Sequence, residues 1–139
     1  MINKKDVVRM RVPFPNISSA LAISAHMYVC LEDGQDKHLA KCQTYKPHHL
    51  LNNKEPFNYI IENADVTRNP FQRKSIIDCD KKFGISGVTI PTKMRTTVRP
   101  DICEPLFTEV VELMNEKNSP IHILPTDGIL SLNSDISAR

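Results

Sequence analysis

The chain has no tryptophan, only 4 glycines in 139 residues, and no apolar run of the ~18 residues that a membrane-spanning helix needs. Its first residues, MINKKDVVRMRV, lack the apolar segment of a secretory signal, so we expect a cytoplasmic protein that is not exported. The net charge is only +2, so nucleic-acid binding would have to depend on a local basic patch rather than on bulk charge. This composition predicts an ordinary globular domain.

None of the four cysteines belongs to a CxxC pair, and the reducing compartment that we expect would keep all four as thiols. We therefore predict that most of them are small core residues. Cys42, His48 and His49 are a combination that suggests zinc, but their spacing matches no standard ligand pattern. The sequence accordingly predicts neither a metal site nor any other cofactor.

The length fits one domain, and most of the chain before residue 100 has the pattern of short strands. Residues 6–14 alternate, with Val8 and Met10 on one face and Val7 and Arg9 on the other. Residues 26–44 predict a hairpin around the turn EDGQD. Further strand-like stretches are residues 57–62, 73–80 and 88–98.

A single amphipathic helix follows in DICEPLFTEVVELMNEKN, residues 101–118. Its apolar residues recur at spacings of three and four, and Asp101 with Glu104 resembles a capping box. Strands followed by one packed helix predict a small barrel or curled sheet with the helix laid against it. We assign residues 1–118 to this domain and expect residues 119–139 to form a C-terminal extension or tail.

Five segments, in their order along the chain, resemble the MazF/PemK (Kid-like) toxins, which are endoribonucleases of bacterial toxin–antitoxin modules. They are DVVRMRVPFP, HMYVCLE, KCQTY, FQRKSIID and TTVRPDICEPLFTEVVELM, and together they span roughly residues 5–117. The resemblance implies a mainly β, SH3-like barrel with a C-terminal helix, paired as a homodimer. It also implies cleavage of single-stranded RNA without a metal, and neutralisation by an antitoxin protein.

Some of the family's functional residues have a match in this sequence, and others do not. Thr44 matches its threonine, Gln72 matches the glutamine of its Asp-Gln pair, and Lys74 matches the basic residue that follows. His26 stands where the family has a catalytic arginine, and Phe71 stands where it has the acid. These two departures leave open whether catalysis survives.

RNA cleavage without a metal uses the neighbouring 2′-hydroxyl as nucleophile, so the site needs a base, an acid and donors for an anionic phosphorane. Histidine titrates near neutrality, so His26 could act as base or acid, and His48 or His49 could supply the second group. Thr44 would hydrogen-bond the scissile phosphate, and Arg73 would offset its added charge.

Other basic and polar residues are candidates for RNA binding. Lys74 could also offset phosphate charge, and Gln72 could contact the RNA. Arg9, Arg11 and Arg95 could hold flanking phosphates, a contribution that weakens steeply with salt. A simpler interpretation of Arg9 and Arg11 is the solvated face of an edge strand, where charge blocks aggregation.

Two other functions stay open at this point. The barrel could be a catalytically inactive module that binds nucleic acid or protein, which Phe71 in place of the acid favours. It could also be a structural scaffold. In either case His26 would be a partly buried, hydrogen-bonded histidine, and Thr44 would be a strand residue with a satisfied hydroxyl.

Overall fold

Short strands make up most of the regular structure. The structure, a computed structural model, describes residues 1–47 and 55–139. The described strands are β1 (Val7–Met10), β2 (His26–Cys30), β3 (Lys37–Thr44), β4 (Tyr59–Glu62), β5 (Ser75–Asp78), β6 (Lys82–Ile85), β7 (Val88–Thr89), β8 (Ile121–Ile123) and β9 (Ser137–Ala138). The described helices are α1 (Ala20–Ile23), α2 (Glu104–Lys117) and α3 (Thr126–Leu132), with a 3₁₀ turn at Thr92–Met94.

The main sheet runs in the order β1-β2-β3-β5-β4, and each neighbouring pair is antiparallel. β3 is its central strand: residues 42–44 pair with β5, whereas residues 37–39 pair with β6. β8 extends the sheet as a parallel neighbour of β6, and β7 and β9 form a separate ladder. The prediction of a mainly β fold is confirmed. Among the described strands, however, the sheet is open rather than a closed barrel, so the SH3-like identity stays a prediction.

Both faces of the sheet carry apolar side chains, because side chains alternate along a strand. In β1, Val8 and Met10 pack on one face and Val7 packs on the other, as the alternation predicted. The layer that we call the α3 core includes Val8, Met10, Tyr28, Leu39, Phe83 and Ile129. The layer that we call the α2 core includes Val7, Val29, Cys42, Phe71, Ile77, Leu106 and Val110.

Within the predicted stretch 101–118, helix α2 begins at Glu104, where the tolerance of proline in a first turn places the start of the regular helix, because Pro105 follows directly. Its N-cap is Cys103 rather than Asp101, and no side chain caps it. Asn118 follows in the left-handed conformation, with φ of 53°, which is a common way to end a helix. Within residues 1–47 and 55–139, no helix is long and apolar enough to cross a membrane.

Residues 119–139, expected to form an extension, add β8, α3 and β9 to the fold. Leu124, Ile129 and Ile136 are buried in the α3 core. Asn133 ties this segment to the chain after β1: its Nδ2 donates to the Arg11 carbonyl at 2.8 Å, and its Oδ1 accepts from the Arg11 N–H at 2.9 Å. These two residues are 122 positions apart, so no local pattern could have predicted their contact.

Candidate functional site

The ends of three neighbouring strands form a cleft of about 310 Å³. β2 begins at His26, β3 ends at Thr44, and antiparallel pairing brings these ends together with the beginning of β5. The lining residues are Arg9, Ala25, His26, Met27, Cys42, Gln43, Thr44, Phe71, Gln72, Arg73 and Ser75. Arg9, His26, Thr44, Gln72 and Arg73, all selected from the sequence, therefore border one cavity.

The cleft is positively charged, and none of its described lining residues is acidic. Arg9 lies in β1 opposite Met27, and Arg73 lies two residues before β5. Within residues 1–47 and 55–139, neither guanidinium group forms an ion pair or a hydrogen bond. Arginine binds phosphate oxygens in a bidentate manner, so two unpaired guanidinium groups beside a concave surface favour a phosphate ligand.

Two hydroxyl side chains face each other across the β3–β5 pairing, because Thr44 lies opposite Ser75 in the register. Ser75 is buried, and its Oγ donates to the Arg73 carbonyl at 2.8 Å, which fixes the backbone that carries Arg73. Thr44 is exposed, and its hydroxyl has no hydrogen-bond partner in the described parts of the chain. The Thr44 hydroxyl is therefore available to donate to a ligand in the cleft.

His26 is half-buried, and its Nδ1 lies 3.0 Å from the carbonyl oxygen of Ser24. A carbonyl oxygen can only accept a hydrogen bond, so this contact places a proton on Nδ1. In the neutral imidazole the lone pair is then on Nε2, which can accept a proton from a ligand.

His26 and Thr44 border the cleft from opposite faces of the sheet. Tyr28, two residues after His26, belongs to the α3 core, whereas Cys42, two residues before Thr44, belongs to the α2 core. Residues two apart in a strand share a face, so His26 is on the α3-core face and Thr44 is on the α2-core face. The cleft therefore wraps around the end of the sheet, and a ligand must pass this end to contact both side chains.

The floor of the cleft is apolar, because Cys42 and Phe71 line it and are also buried in the α2 core. Burial raises the pKa of the Cys42 thiol, and the nearby Cys79 and Asp78 raise it further. This thiol therefore stays protonated at neutral pH and does not act as a nucleophile. Phe71, which the resemblance aligned with an acidic residue, supplies a core aromatic ring and no proton transfer.

Lys74 and Arg11, which were also predicted, are not among the described residues that line the cleft. The Nζ atom of Lys74 lies over the Tyr45 ring, 4.6 Å from its centroid, in a cation–π contact. Arg11 is exposed after the end of β1. The predicted residue His48 and its neighbour His49 lie outside the described residues.

Sequence patterns missed Met27, Gln43 and Ser75, which also line the cleft. Ser75 reaches this position because β5 pairs with β3 in a register that sets it opposite Thr44. The strand pattern indicates which residues alternate, but it does not indicate which strands become neighbours.

Within residues 1–47 and 55–139, no group of three or more His, Cys, Asp or Glu side chains is placed to hold a metal ion. Cys42, a residue of the zinc combination considered above, has a raised pKa, which opposes the thiolate form that zinc binds. Its two suggested partners, His48 and His49, lie outside the described residues.

Comparisons with known proteins identify no relative of this chain. A scan against protein-family models matched no family, and searches of the curated proteins and of the solved structures matched no protein. The resemblance to the MazF/PemK toxins therefore stays a prediction, and inference about function depends on the cleft itself.

Proposed function

We propose that this protein is a MazF-like endoribonuclease that cleaves single-stranded RNA without a metal. The observation that carries the proposal is that Arg9, His26, Thr44 and Arg73 border one cavity whose described lining has no acidic residue. An RNA phosphate matches this cavity in charge, and its oxygens accept hydrogen bonds from guanidinium and hydroxyl donors.

Side chains of the cleft bind the RNA, and the shape of the cleft selects a single strand. Arg9 and Arg73 bind the non-bridging oxygens, and Thr44 donates its hydroxyl to the same phosphate. Gln72 contacts the adjoining sugar or base. A single strand fits a cleft that wraps around the end of a sheet, because its backbone bends and its bases can splay apart.

The chemical step uses the 2′-hydroxyl beside the scissile bond. Its oxygen attacks phosphorus while Nε2 of His26 accepts its proton, and the P–O5′ bond breaks as the O2′–P bond forms. The products are a 2′,3′-cyclic phosphate and a 5′-hydroxyl. Arg9 and Arg73 stabilise the negative charge of the phosphorane, and His48 or His49 would protonate the leaving 5′-oxygen.

The proposal includes a cellular context. The protein acts in the cytoplasm as a homodimer, and an antitoxin neutralises it by laying an extended or helical segment across the RNA-binding groove. The positive charge of the cleft favours an antitoxin segment with acidic side chains.

A binding module without catalysis is the second candidate function. General acid–base cleavage of RNA needs two proton-transfer groups, and the described lining of the cleft offers one histidine and no carboxylate. Phe71 at the position of the family's acid favours the same interpretation. Such a module would bind RNA in a salt-dependent manner and leave it intact.

Incubation of the purified protein with a long RNA in EDTA separates these two functions. We expect cleavage by the wild type, a rate about 100-fold lower for His26→Ala because the base is lost, and a rate about tenfold lower for Thr44→Ala because a hydrogen bond to the phosphate is lost. His122→Ala and Thr108→Ala are the matched controls, because both side chains are exposed and neither lines the cleft.

Each outcome decides between named alternatives. Wild-type rates in both His26→Ala and Thr44→Ala would reject the roles assigned to these residues. Salt-sensitive RNA binding without cleavage by the wild type would replace the endoribonuclease with the binding module. If the wild type neither bound nor cleaved RNA, both functions would be rejected.

A further inference from the structure

A second cavity of about 100 Å³ opens beside the cleft, and we call it the side chamber. Arg9, Met27 and Gln72 line both cavities, so the two share a wall. The rest of the side chamber is lined by Pro70, Arg95, Thr96, Thr97 and Val98. The cleft therefore continues past β1 instead of ending at Arg9.

The chain that forms the outer wall of the side chamber is fixed against β1. Arg95 forms an isolated β-bridge with Val8, and the Thr96 N–H donates to the Val7 carbonyl at 2.9 Å. The buried Thr96 hydroxyl also donates to the Arg99 carbonyl. These hydrogen bonds hold the wall in place without a ligand.

Arg95 adds a third guanidinium group to the two in the cleft. Arg73 lines only the cleft, Arg9 lines both cavities, and Arg95 lines only the side chamber, so the three follow the groove in this order. Nε of Arg95 donates to the Thr92 carbonyl at 3.2 Å, and its Nη1 forms an ion pair with the Asp6 carboxylate at 3.9 Å. Neither Nη1 nor Nη2 donates a hydrogen bond to any of the described residues. Arg95 thus has N–H donors that are available to a phosphate.

The side chamber also offers an apolar surface. Val98 is 64% exposed, and Met27 and Pro70 lie in the same lining. No Asp or Glu is among the described residues that line the chamber. Met27 is half-buried and Pro70 is buried, so Val98 supplies the exposed apolar contact. A guanidinium group beside an exposed apolar side chain suits a nucleotide, because one part of the nucleotide is anionic and another is flat and apolar.

We propose that the cleft and the side chamber form one groove that binds at least two successive nucleotides of single-stranded RNA. Arg95 and the exposed Thr97 hydroxyl hold the phosphate next to the scissile one, and its base packs on Val98. The inference rests on the proposed function, because it takes RNA as the ligand. A mononucleotide in the cleft makes no use of Arg95, so affinity depends on the length of the RNA.

The test measures binding of 5′-phosphorylated 2′-O-methyl oligouridylates of one, two, four and eight nucleotides, which cannot be cleaved because they have no free 2′-hydroxyl. We expect the Kd of the wild type to fall about tenfold from one to two nucleotides, because a second phosphate gains charge-assisted hydrogen bonds. Arg95→Gln should cancel this gain and lower the slope of log Kd against log salt by about one. It should leave the Kd of the one-nucleotide probe unchanged.

Two variants control for charge and for folding. Lys93→Gln removes a neighbouring cation that is 68% exposed and pairs with Asp135 at 3.2 Å, and it should bind every probe as the wild type does. Thr97→Val keeps the shape of the wall and removes only the hydroxyl, so it should weaken binding of the longer probes even if Arg95→Gln failed to fold.

The proposed groove would be rejected if the wild type bound one and two nucleotides with the same Kd. It would also be rejected if Arg95→Gln and Lys93→Gln bound every probe with the same Kd. Cleavage of a long RNA by the same preparations tests the proposed function separately. If the wild type cleaves RNA but its Kd does not depend on probe length, the proposed function is supported and the second nucleotide site is rejected.

Discussion

The two faces of the sheet hold their positive charges in different ways. On the α2-core face, Arg9 borders the cleft and its guanidinium has no partner among the described residues. On the α3-core face, Lys41 and Lys81 lie 3.6 Å and 3.8 Å from the carboxylate of Asp78. The carboxylate of Asp78 partly neutralises the two lysines, whereas Arg9 keeps its full charge for a ligand.

A cavity alone does not distinguish the two faces. The lysines line a cavity of about 200 Å³ together with Phe14 and Phe83, whose rings are 5.1 Å apart. Asp78 is 2% exposed, and burial raises its pKa even though two lysines lie close to it. Burial therefore favours the neutral form of Asp78, whereas the two lysines favour its charged form. An external anion would have to compete with Asp78 for both lysines.

The largest expected difference between the two faces is in stability. Asp78→Ala would leave Lys41 and Lys81 without their buried partner, and we expect it to lower the free energy of unfolding by about 3 kcal/mol. Arg9→Ala removes an unpaired surface charge and should change that free energy by no more than about 0.5 kcal/mol. Urea unfolding of both variants measures this, and a larger loss in Arg9→Ala than in Asp78→Ala would contradict the comparison.

An intermediate effect is expected on RNA binding, where the variant on the α2-core face should now lose more than the variant on the α3-core face. Arg9→Ala should weaken binding of a single-stranded RNA about tenfold and lower the slope of its salt dependence by about one, because one phosphate contact is lost. Lys81→Ala should leave both quantities unchanged, because its ammonium group pairs with Asp78. Equal losses in the two variants would mean that binding reports overall charge rather than the cleft.

The smallest effect concerns the pH dependence of stability. The folded-state pKa of Asp78 is raised by burial, so the native state holds this proton more tightly than the unfolded state, where aspartate titrates at about pH 3.9. The stability from the protonated group is fully present below that pH and is lost as the pH rises through the folded-state pKa. The free energy of unfolding of the wild type should therefore fall relative to Asp78→Asn across this window, as measured by urea unfolding at several pH values. A relative increase with pH would show that pairing with the lysines outweighs burial.

Local patterns predicted the parts of this molecule that depend on neighbours in the chain. The alternation of Val7, Val8 and Met10 predicted β1, and the spacing of apolar residues predicted helix α2. Five residues that line the cleft were selected from the sequence, either by the resemblance to the toxins or as basic side chains. Arg11 and Lys74, which were selected in the same way, are not among the described lining residues, because the pattern of charges does not reveal which strand end a side chain reaches.

The sequence by itself determined where the strands before residue 80 and helix α2 form, because alternation, turn residues and helical spacing act over a few positions, but it did not predict β8, α3 or β9. Only the tertiary structure decided that Ser75 lies opposite Thr44, that Arg95 lies beside β1, and that Ile129 enters the core. Those contacts join distant parts of the chain, and their register follows from which apolar faces are buried together. The cleft exists because three strands end at one place, and no short stretch of sequence contains that information.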